Sequence, residues 1–169
     1  MEHILKLLAI AFTGPSGSGK TTLIEKISQK LTKNYKVAII KHDPSNKARF
    51  DVEGKDSYRF FHTNADVAVV SDVQTTIFKH QTSNLEELID YLKPFDLLMV
   101  EGLKSWSLPR IGVFRGKIEA SYLPYLQAVA IDNSIDKKEL ENLNVDILDL
   151  NDIDSIIEYI WKNSKKIKE

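Results

Sequence analysis

Gly14-Pro15-Ser16-Gly17-Ser18-Gly19-Lys20-Thr21 fits G-x-x-x-x-G-K-[ST], the phosphate-binding loop of nucleotide-binding proteins, without a mismatch. Before it runs Ile4 to Phe12, an apolar segment long enough for a buried strand. After it, Thr22 to Leu31 reads as an amphipathic helix, with Leu23, Ile24, Ile27 and Leu31 at helical spacing. Strand, glycine-rich loop and helix are the context this motif requires. Gly14 and Gly19 can take backbone angles closed to other residues and let a phosphate approach the chain. Successive N–H groups then face inward as an anion nest, and the helix N-terminus adds a favourable dipole. Lys20 is expected between the terminal phosphates, and the Thr21 hydroxyl on a magnesium ion (Mg2+). Gly14, Pro15, Ser16, Gly17, Ser18, Gly19, Lys20, Thr21 and Thr22 together form the expected nucleotide cradle. None of them reads the base.

The chain of 169 residues is expected to fold as one nucleotide-binding domain. Hydrophobic residues make up 43% and charged residues 28%, the balance of a globular, soluble protein. A formal net charge of −1 gives no general attraction to nucleic acid or to an anionic membrane. With no cysteine there is no disulfide and no cysteine-ligated metal, which suits a reducing cytoplasm. Ala9-Ile10-Ala11 matches a small-residue cleavage pattern. Lys6 interrupts the run before it, however, and the run leads straight into the loop, so a first strand is expected and not a signal peptide. No segment approaches the roughly 20 apolar residues of a membrane span. The basic tail, Lys162 to Glu169, reads as a fraying helix end.

Apolar and helical segments alternate along the chain. Strands are expected at Lys36 to Lys41, Asp66 to Ser71, Phe95 to Val100, Arg110 to Phe114, Leu126 to Ile131 and Val145 to Leu148. Thr75 to His80 is expected to pair with Asp66 to Ser71 as a short hairpin. Helices are expected at Lys55 to Asn64, from Asn84 through Leu92, and at Ile153 to Trp161. The pattern predicts an α/β fold of the P-loop NTPase kind, a mostly parallel sheet with helices on both faces. The polar stretch His42 to Gly54 leaves the carboxyl end of the second strand, the edge where open α/β sheets bind ligands, and reads as a lid or switch.

A triphosphate site also needs an acidic residue at a strand's end to hold magnesium or its water shell. Asp96 and Glu101 open and close one strand, about 16 Å apart at ~3.3 Å per residue. Only Glu101 reaches the carboxyl edge where the phosphate loop sits, so Glu101 is the expected metal-side and catalytic carboxylate beside Lys20. Gly102 permits a tight exit. Lys41, His42 and Asp43 end the second strand at the same edge and are expected to contact the phosphate or its metal.

Four segments together resemble the molybdopterin-guanine dinucleotide biosynthesis adaptor proteins, the B protein of that pathway. They are Gly14 to Thr22, Lys41-His42-Asp43, the block Asp51-Val52-Glu53-Gly54-Lys55-Asp56-Ser57-Tyr58-Arg59, and Glu101-Gly102-Leu103-Lys104. The resemblance implies a GTP-binding protein with weak GTPase activity, usually a homodimer. It would assist the guanylyltransferase that attaches GMP to molybdopterin in molybdenum cofactor biosynthesis. The chain departs from the family at Pro44-Ser45-Asn46, where further histidines are usual, so no metal or cofactor role carries over to those positions. Bottom-up, Asp56 or Ser57 is a candidate helix cap, and Lys104 is a candidate contact for a phosphate or a partner.

Two other readings stay open. A small-molecule or nucleotide kinase on the same loop, with ATP as donor, would want an arginine-rich lid, but His42 to Gly54 holds only Arg49, with Arg59 beyond it. A metal-delivery GTPase would want a Cys/His cluster, and the chain has four dispersed histidines and no cysteine. No water-orienting glutamine or intrinsic arginine finger is visible. Asn46-Lys47-Ala48-Arg49 lacks the acid of a guanine reader; Asp132, after Ala128 to Ile131, is the substitute the chain offers. Guanine preference and the dimer therefore rest on the resemblance. Trp106, Leu108, Tyr122, Leu123 and Tyr125 read either as packing or as an interface, in a region that Pro109 and Pro124 shape as a loop.

Overall fold

The computed structural model describes residues 6–141 and 143–168. In it the run before the phosphate loop forms β1 (Leu8–Thr13), and the helix after the loop is α1 (Lys20–Leu31). There follow β2 (Val37–Lys41), α2 (Asp56–Phe61), β3 (Val67–Val70), β4 (Thr75–Phe78) and α3 (Leu85–Leu92). The second half supplies β5 (Leu97–Glu101), β6 (Arg110–Phe114), β7 (Ala128–Ile131), β8 (Asp146–Asp149), α4 (Ile153–Asn163) and β9 (Lys165–Lys166). Ile4 and Leu5, expected at the start of the first strand, lie outside the described residues. The strand begins only at Leu8, because Leu7 takes a φ of +48°, outside the β region.

The chain divides into two compact units. One ends at His42 and resumes at Leu92; the other is Asp43–Tyr91. The first contains a seven-stranded sheet in the order β2-β5-β1-β6-β7-β8, parallel throughout except for β9. The chain moves to one side of β1 to make β2 and β5, then to the other for β6, β7 and β8. This is an α/β, P-loop NTPase-like sheet with its topological switch at β1, where ligands of such sheets bind.

Side-chain alternation sorts the core into two layers. Ile10, Phe12, Leu97, Met99, Ile111, Val113, Ala128 and Ala130 face one side, with Leu23, Ile24, Ile27 and Leu31 of α1 and Ile156, Ile157 and Ile160 of α4 packed on them. Each of those aliphatic side chains gains about 1.5–3 kcal/mol from full burial. Lys30 of α1 pairs with Asp154 of α4, and Asp152 caps α4 by accepting the Ser155 N–H at 3.1 Å. On the opposite face Phe114, Val129 and Ile131 form a second cluster with Leu126 and Ile135. Tyr122 and Leu123 pack against it from a 3-10 turn, Ala120–Tyr125, which includes Pro124 where an irregular loop is expected.

The tail is not a fraying helix end. After α4, Lys165 and Lys166 pair antiparallel with Ala9 and Leu8, and the Ile167 N–H donates to the Leu7 carbonyl at 2.7 Å. The strand β5 occupies one edge of β1 along its length, while β6 begins pairing only at Ala11. That leaves the backbone from Leu8 to Ile10 open, and β9 pairs with the first two of these residues. Glu169 lies outside the described residues.

In the second unit β3 and β4 form the expected antiparallel hairpin, Val67 opposite Phe78 and Val70 opposite Thr75. Asn84 and Glu87 start α3 with a reciprocal capping box: the Glu87 N–H donates to Asn84 Oδ1 at 2.9 Å and the Asn84 N–H to Glu87 Oε2 at 3.1 Å. The helix α2 is shorter than its pattern, closing at Phe61 before Asn64 turns left-handed at φ +70°. Neither Asp56 nor Ser57 caps it. Lys55 stands at the cap position without a side-chain bond, Asp56 pairs with Arg59 at 3.6 Å, and the Ser57 hydroxyl donates to Asp51 at 3.1 Å. Among the described residues no helix is long and apolar enough to cross a membrane.

Candidate functional site: a phosphate loop with a cation-bearing carboxylate

The loop between β1 and α1 turns on three glycines with positive φ: Gly14 at +142°, Gly17 at +76° and Gly19 at +99°. A Cβ on Gly14 would come within 2.3 Å of the Val113 carbonyl oxygen, so the loop lies directly against β6 and only glycine fits. Gly19 stands at the N-cap of α1 and supplies no capping side chain, and the first turn holds no acidic residue. The leading N–H groups of α1 and its dipole are thus left to an external anion. Ser18 is only 4% exposed, yet its Oγ has no hydrogen-bond partner. A buried hydroxyl without a partner, just before the uncapped N-terminus of α1, is a group that a bound phosphate would satisfy. Pro15 is half-buried; Ser16, Thr21 and Thr22 are exposed along the rim.

Lys20 folds back over this loop. Its Nζ donates to the carbonyl of Gly14 at 3.0 Å and of Pro15 at 2.6 Å. Burial holds the ammonium below the ordinary lysine pKa, with Glu101 opposing that shift and Lys41 adding to it.

Register explains how the charged groups meet. Across the three parallel strands Phe12, Glu101 and Lys41 stand side by side. Glu101 follows Met99 by two residues, so it points to the face that α1 covers. There the Thr21 hydroxyl faces both carboxylate oxygens, at 3.3 and 3.5 Å, and Lys41 Nζ donates to Oε1 at 2.8 Å. Glu101 is 9% exposed as a residue, while the Lys41 side chain is 59% exposed. The hydroxyl contact is longer than a normal O–H···O bond, so Thr21 holds Glu101 only weakly. A hydroxyl beside a carboxylate is the oxygen donor set that suits magnesium, and the residues present fit that ion.

Asp96, at the other end of β5, is fully buried and accepts the N–H of Lys6 at 3.2 Å and of Lys36 at 2.8 Å. It staples the segments that lead into β1 and β2 at the amino rim. His42 continues the backbone ladder through its N–H to the Glu101 carbonyl at 3.0 Å, and its Cβ lies 3.1 Å from where a Cβ on Gly102 would stand. Asp43 opens the second unit; its carboxylate accepts the N–H groups of Ser45, Lys47 and Ala48 at 3.2, 2.7 and 2.7 Å. Lys104 Nζ sits 3.5 Å over the ring of Tyr122, a cation–π contact.

Two arginines carry roles that sequence reasoning did not assign. Arg110 is 2% exposed and donates to three carbonyls, Gly102 at 2.7 Å, Leu103 at 2.9 Å and Trp106 at 3.1 Å. It shapes the turn that follows Glu101. Arg115, the residue after β6, lies against Gly19 and pairs through Nε with Asp132 at 3.3 Å. The Ser134 hydroxyl and N–H hold the Asp132 carboxyl below the usual range, with Arg115 contributing. Asp132 is therefore committed to a turn and a guanidinium. The available signal for Arg115 was its place one residue beyond a predicted strand's carboxyl end.

A sequence profile described as molybdopterin guanine dinucleotide synthesis protein B matches residues 9–132, from β1 through the turn after β7. The chain belongs to this family. The profile therefore spans Gly14–Thr22, Lys41, Glu101 and both arginines. A Haemophilus influenzae protein named molybdopterin-guanine dinucleotide biosynthesis adapter protein is 32% identical over 171 residues, covering 95% of this chain and 90% of that protein. The Escherichia coli protein of the same name is 30% identical over 166 residues, covering 89% and 90%. The crystal structure of Bacillus subtilis MobB superposes with a TM-score of 0.73 at 22% identity, over 95% of this chain and 99% of that one. That likeness extends to the fold.

Proposed function

We propose that this chain is a GTP-binding adapter of molybdopterin guanine dinucleotide biosynthesis, acting with magnesium in the cytoplasm. The convergence of Lys20, Thr21 and Glu101 on one glycine-lined loop carries this reading. The loop N–H groups and Lys20 would hold the phosphates, and Thr21 and Glu101 would hold the magnesium ion. That ion supplies charge neutralisation on the phosphate oxygens. Lys41 would exchange its bond to Glu101 for a phosphate oxygen.

The groups gathered here bind and neutralise. Glu101, the carboxylate among them, is engaged by Lys41 and Thr21 and is poorly suited to take a proton from water. A weak GTPase, working to bind and present, matches this arrangement better than fast turnover. The names of the curated relatives support the pathway, and the family resemblance supports guanine as the base, a homodimer, and a guanylyltransferase as the partner, with molybdopterin as a further candidate ligand.

Titration calorimetry with GTP and ATP in the presence of magnesium, with phosphate release followed in the same samples, tests this. Preference for GTP with very slow release is expected. Preference for ATP, or fast turnover only when a small-molecule acceptor is added, would overturn the adapter reading in favour of a kinase.

A further inference from the structure

We propose that Arg115 is a second cationic contact for the phosphate chain held by the loop, with Asp132 fixing the guanidinium for that task. The inference rests on the reading of Gly14–Thr21 as a nucleotide site and adds a residue to it.

Position comes first. The strand β6 pairs directly with β1, so its carboxyl end emerges beside the phosphate loop. Arg115 follows at once, and its Nε, Cζ and Nη2 lie 3.6, 3.7 and 3.7 Å from where a Cβ on Gly19 would stand. Three atoms of the planar group at nearly one distance mean that the guanidinium rests against the last glycine before Lys20. The bare backbone there is what allows the approach.

Orientation comes second. Arg115 belongs to a linked set of contacts: its Nε forms an ion pair with Asp132 Oδ2 at 3.3 Å, the Ser134 hydroxyl donates to Asp132 Oδ1, and the Gly116 N–H donates to the Ser134 oxygen at 2.8 Å. One oxygen of Asp132 is thereby tied to its own turn, and the other holds the inner edge of the guanidinium. The Nη groups form the outer edge, and among the described residues they have no acceptor. The side chain is 52% exposed, so that edge is open to a ligand.

Chemistry comes third. A guanidinium paired on its Nε side leaves the two Nη groups as parallel N–H donors, the fork that matches a phosphate. Lys20 supplies a point charge from within the loop; Arg115 adds a directional donor from a neighbouring strand. The contact needs no second protein, because the residue belongs to the same unit as the loop.

The test is calorimetry on the whole chain with two probes, magnesium GTP and magnesium tripolyphosphate, which has the phosphates and no base. R115A should weaken both roughly 10- to 100-fold, the span of a hydrogen bond to a charged group. R115K should recover only part of the loss, since an ammonium lacks the fork. D132N should weaken both by less than R115A. An unchanged denaturation midpoint in R115A would show that the half-exposed side chain is dispensable for folding. R115A binding both probes as tightly as the original chain would overturn the proposal. So would a loss confined to GTP, which would assign Arg115 to the base. If the original chain binds neither probe, the nucleotide reading itself falls and takes this proposal with it.

Discussion

Replacing Arg110 by methionine removes a buried side chain that ties down the turn after Glu101. The guanidinium is 2% exposed and satisfies the carbonyls of Gly102, Leu103 and Trp106 at 2.7, 2.9 and 3.1 Å. Hydrogen bonds to a charged group are each worth about 1.5–3 kcal/mol net, so the three together amount to roughly 5–9 kcal/mol. Against this stands the cost of burying the cation, several kcal/mol even after relaxation, which methionine does not incur. Burial indeed holds the Arg110 pKa below its ordinary value, the sign of that cost. The difference leaves a loss of about 2–4 kcal/mol, a fall in Tm on the order of 10 °C for a chain of this size. Urea denaturation of R110M should show it as a lower midpoint at unchanged slope. The same variant should be cut faster by trypsin after Lys104, because the 102–106 turn has lost its anchor. A loss below about 1 kcal/mol, or unchanged cleavage, would refute the claim that these three bonds hold the turn.

Glu101→Gln should weaken magnesium-dependent GTP binding roughly tenfold with little change in denaturation midpoint, whereas Asp96→Asn should cost about 1–3 kcal/mol of stability and leave the magnesium dependence intact; calorimetry with and without a chelator separates them, and the reverse order would refute the assignment of strand ends. Gly14→Ala must place a Cβ 2.3 Å from the Val113 oxygen at φ +142°, so both thermal stability and GTP binding should fall, the strain alone costing about 1–3 kcal/mol. Tyr159 should ionise at about 12 in an alkaline absorbance titration, raised from 10.0 by burial and then by Asp146. A phenol whose folded pKa is raised stabilises the fold below pH 10 and loses that contribution between 10 and 12, so stability should decline across that window.

The half of the site that lies along one stretch of chain was legible, because the motif, its strand and its helix are contiguous. Glu101 was legible for a different reason: a carboxylate ending an apolar run declares which rim it occupies. Arg110 was not, because its partners are main-chain carbonyls, which carry no residue identity. Arg115 was not, because its nearness to Gly19 depends on β6 lying next to β1, a fact of sheet order that no local pattern encodes. The tail strand β9 failed for the same reason. Two lysines read as solvated until the free edge of β1 is known to end at Ala11.

The two carboxylates of β5 show how position in a sheet decides what an acid does. Asp96 and Glu101 share a strand, and both are buried. Asp96 is answered by backbone N–H groups, which cannot leave, so its charge is spent on holding the fold. Glu101 is answered by a lysine ammonium and a threonine hydroxyl, both on side chains. A buried carboxylate must be paired, yet this one is paired by a group 59% exposed on a strand end and free to swing into water. Any cation that takes Glu101 therefore competes with Lys41 and does not enter an empty charge pocket. The competition makes cation exchange depend on somewhere for the displaced ammonium to go. A phosphate chain in the adjacent loop would provide that place, which couples the two halves of the site.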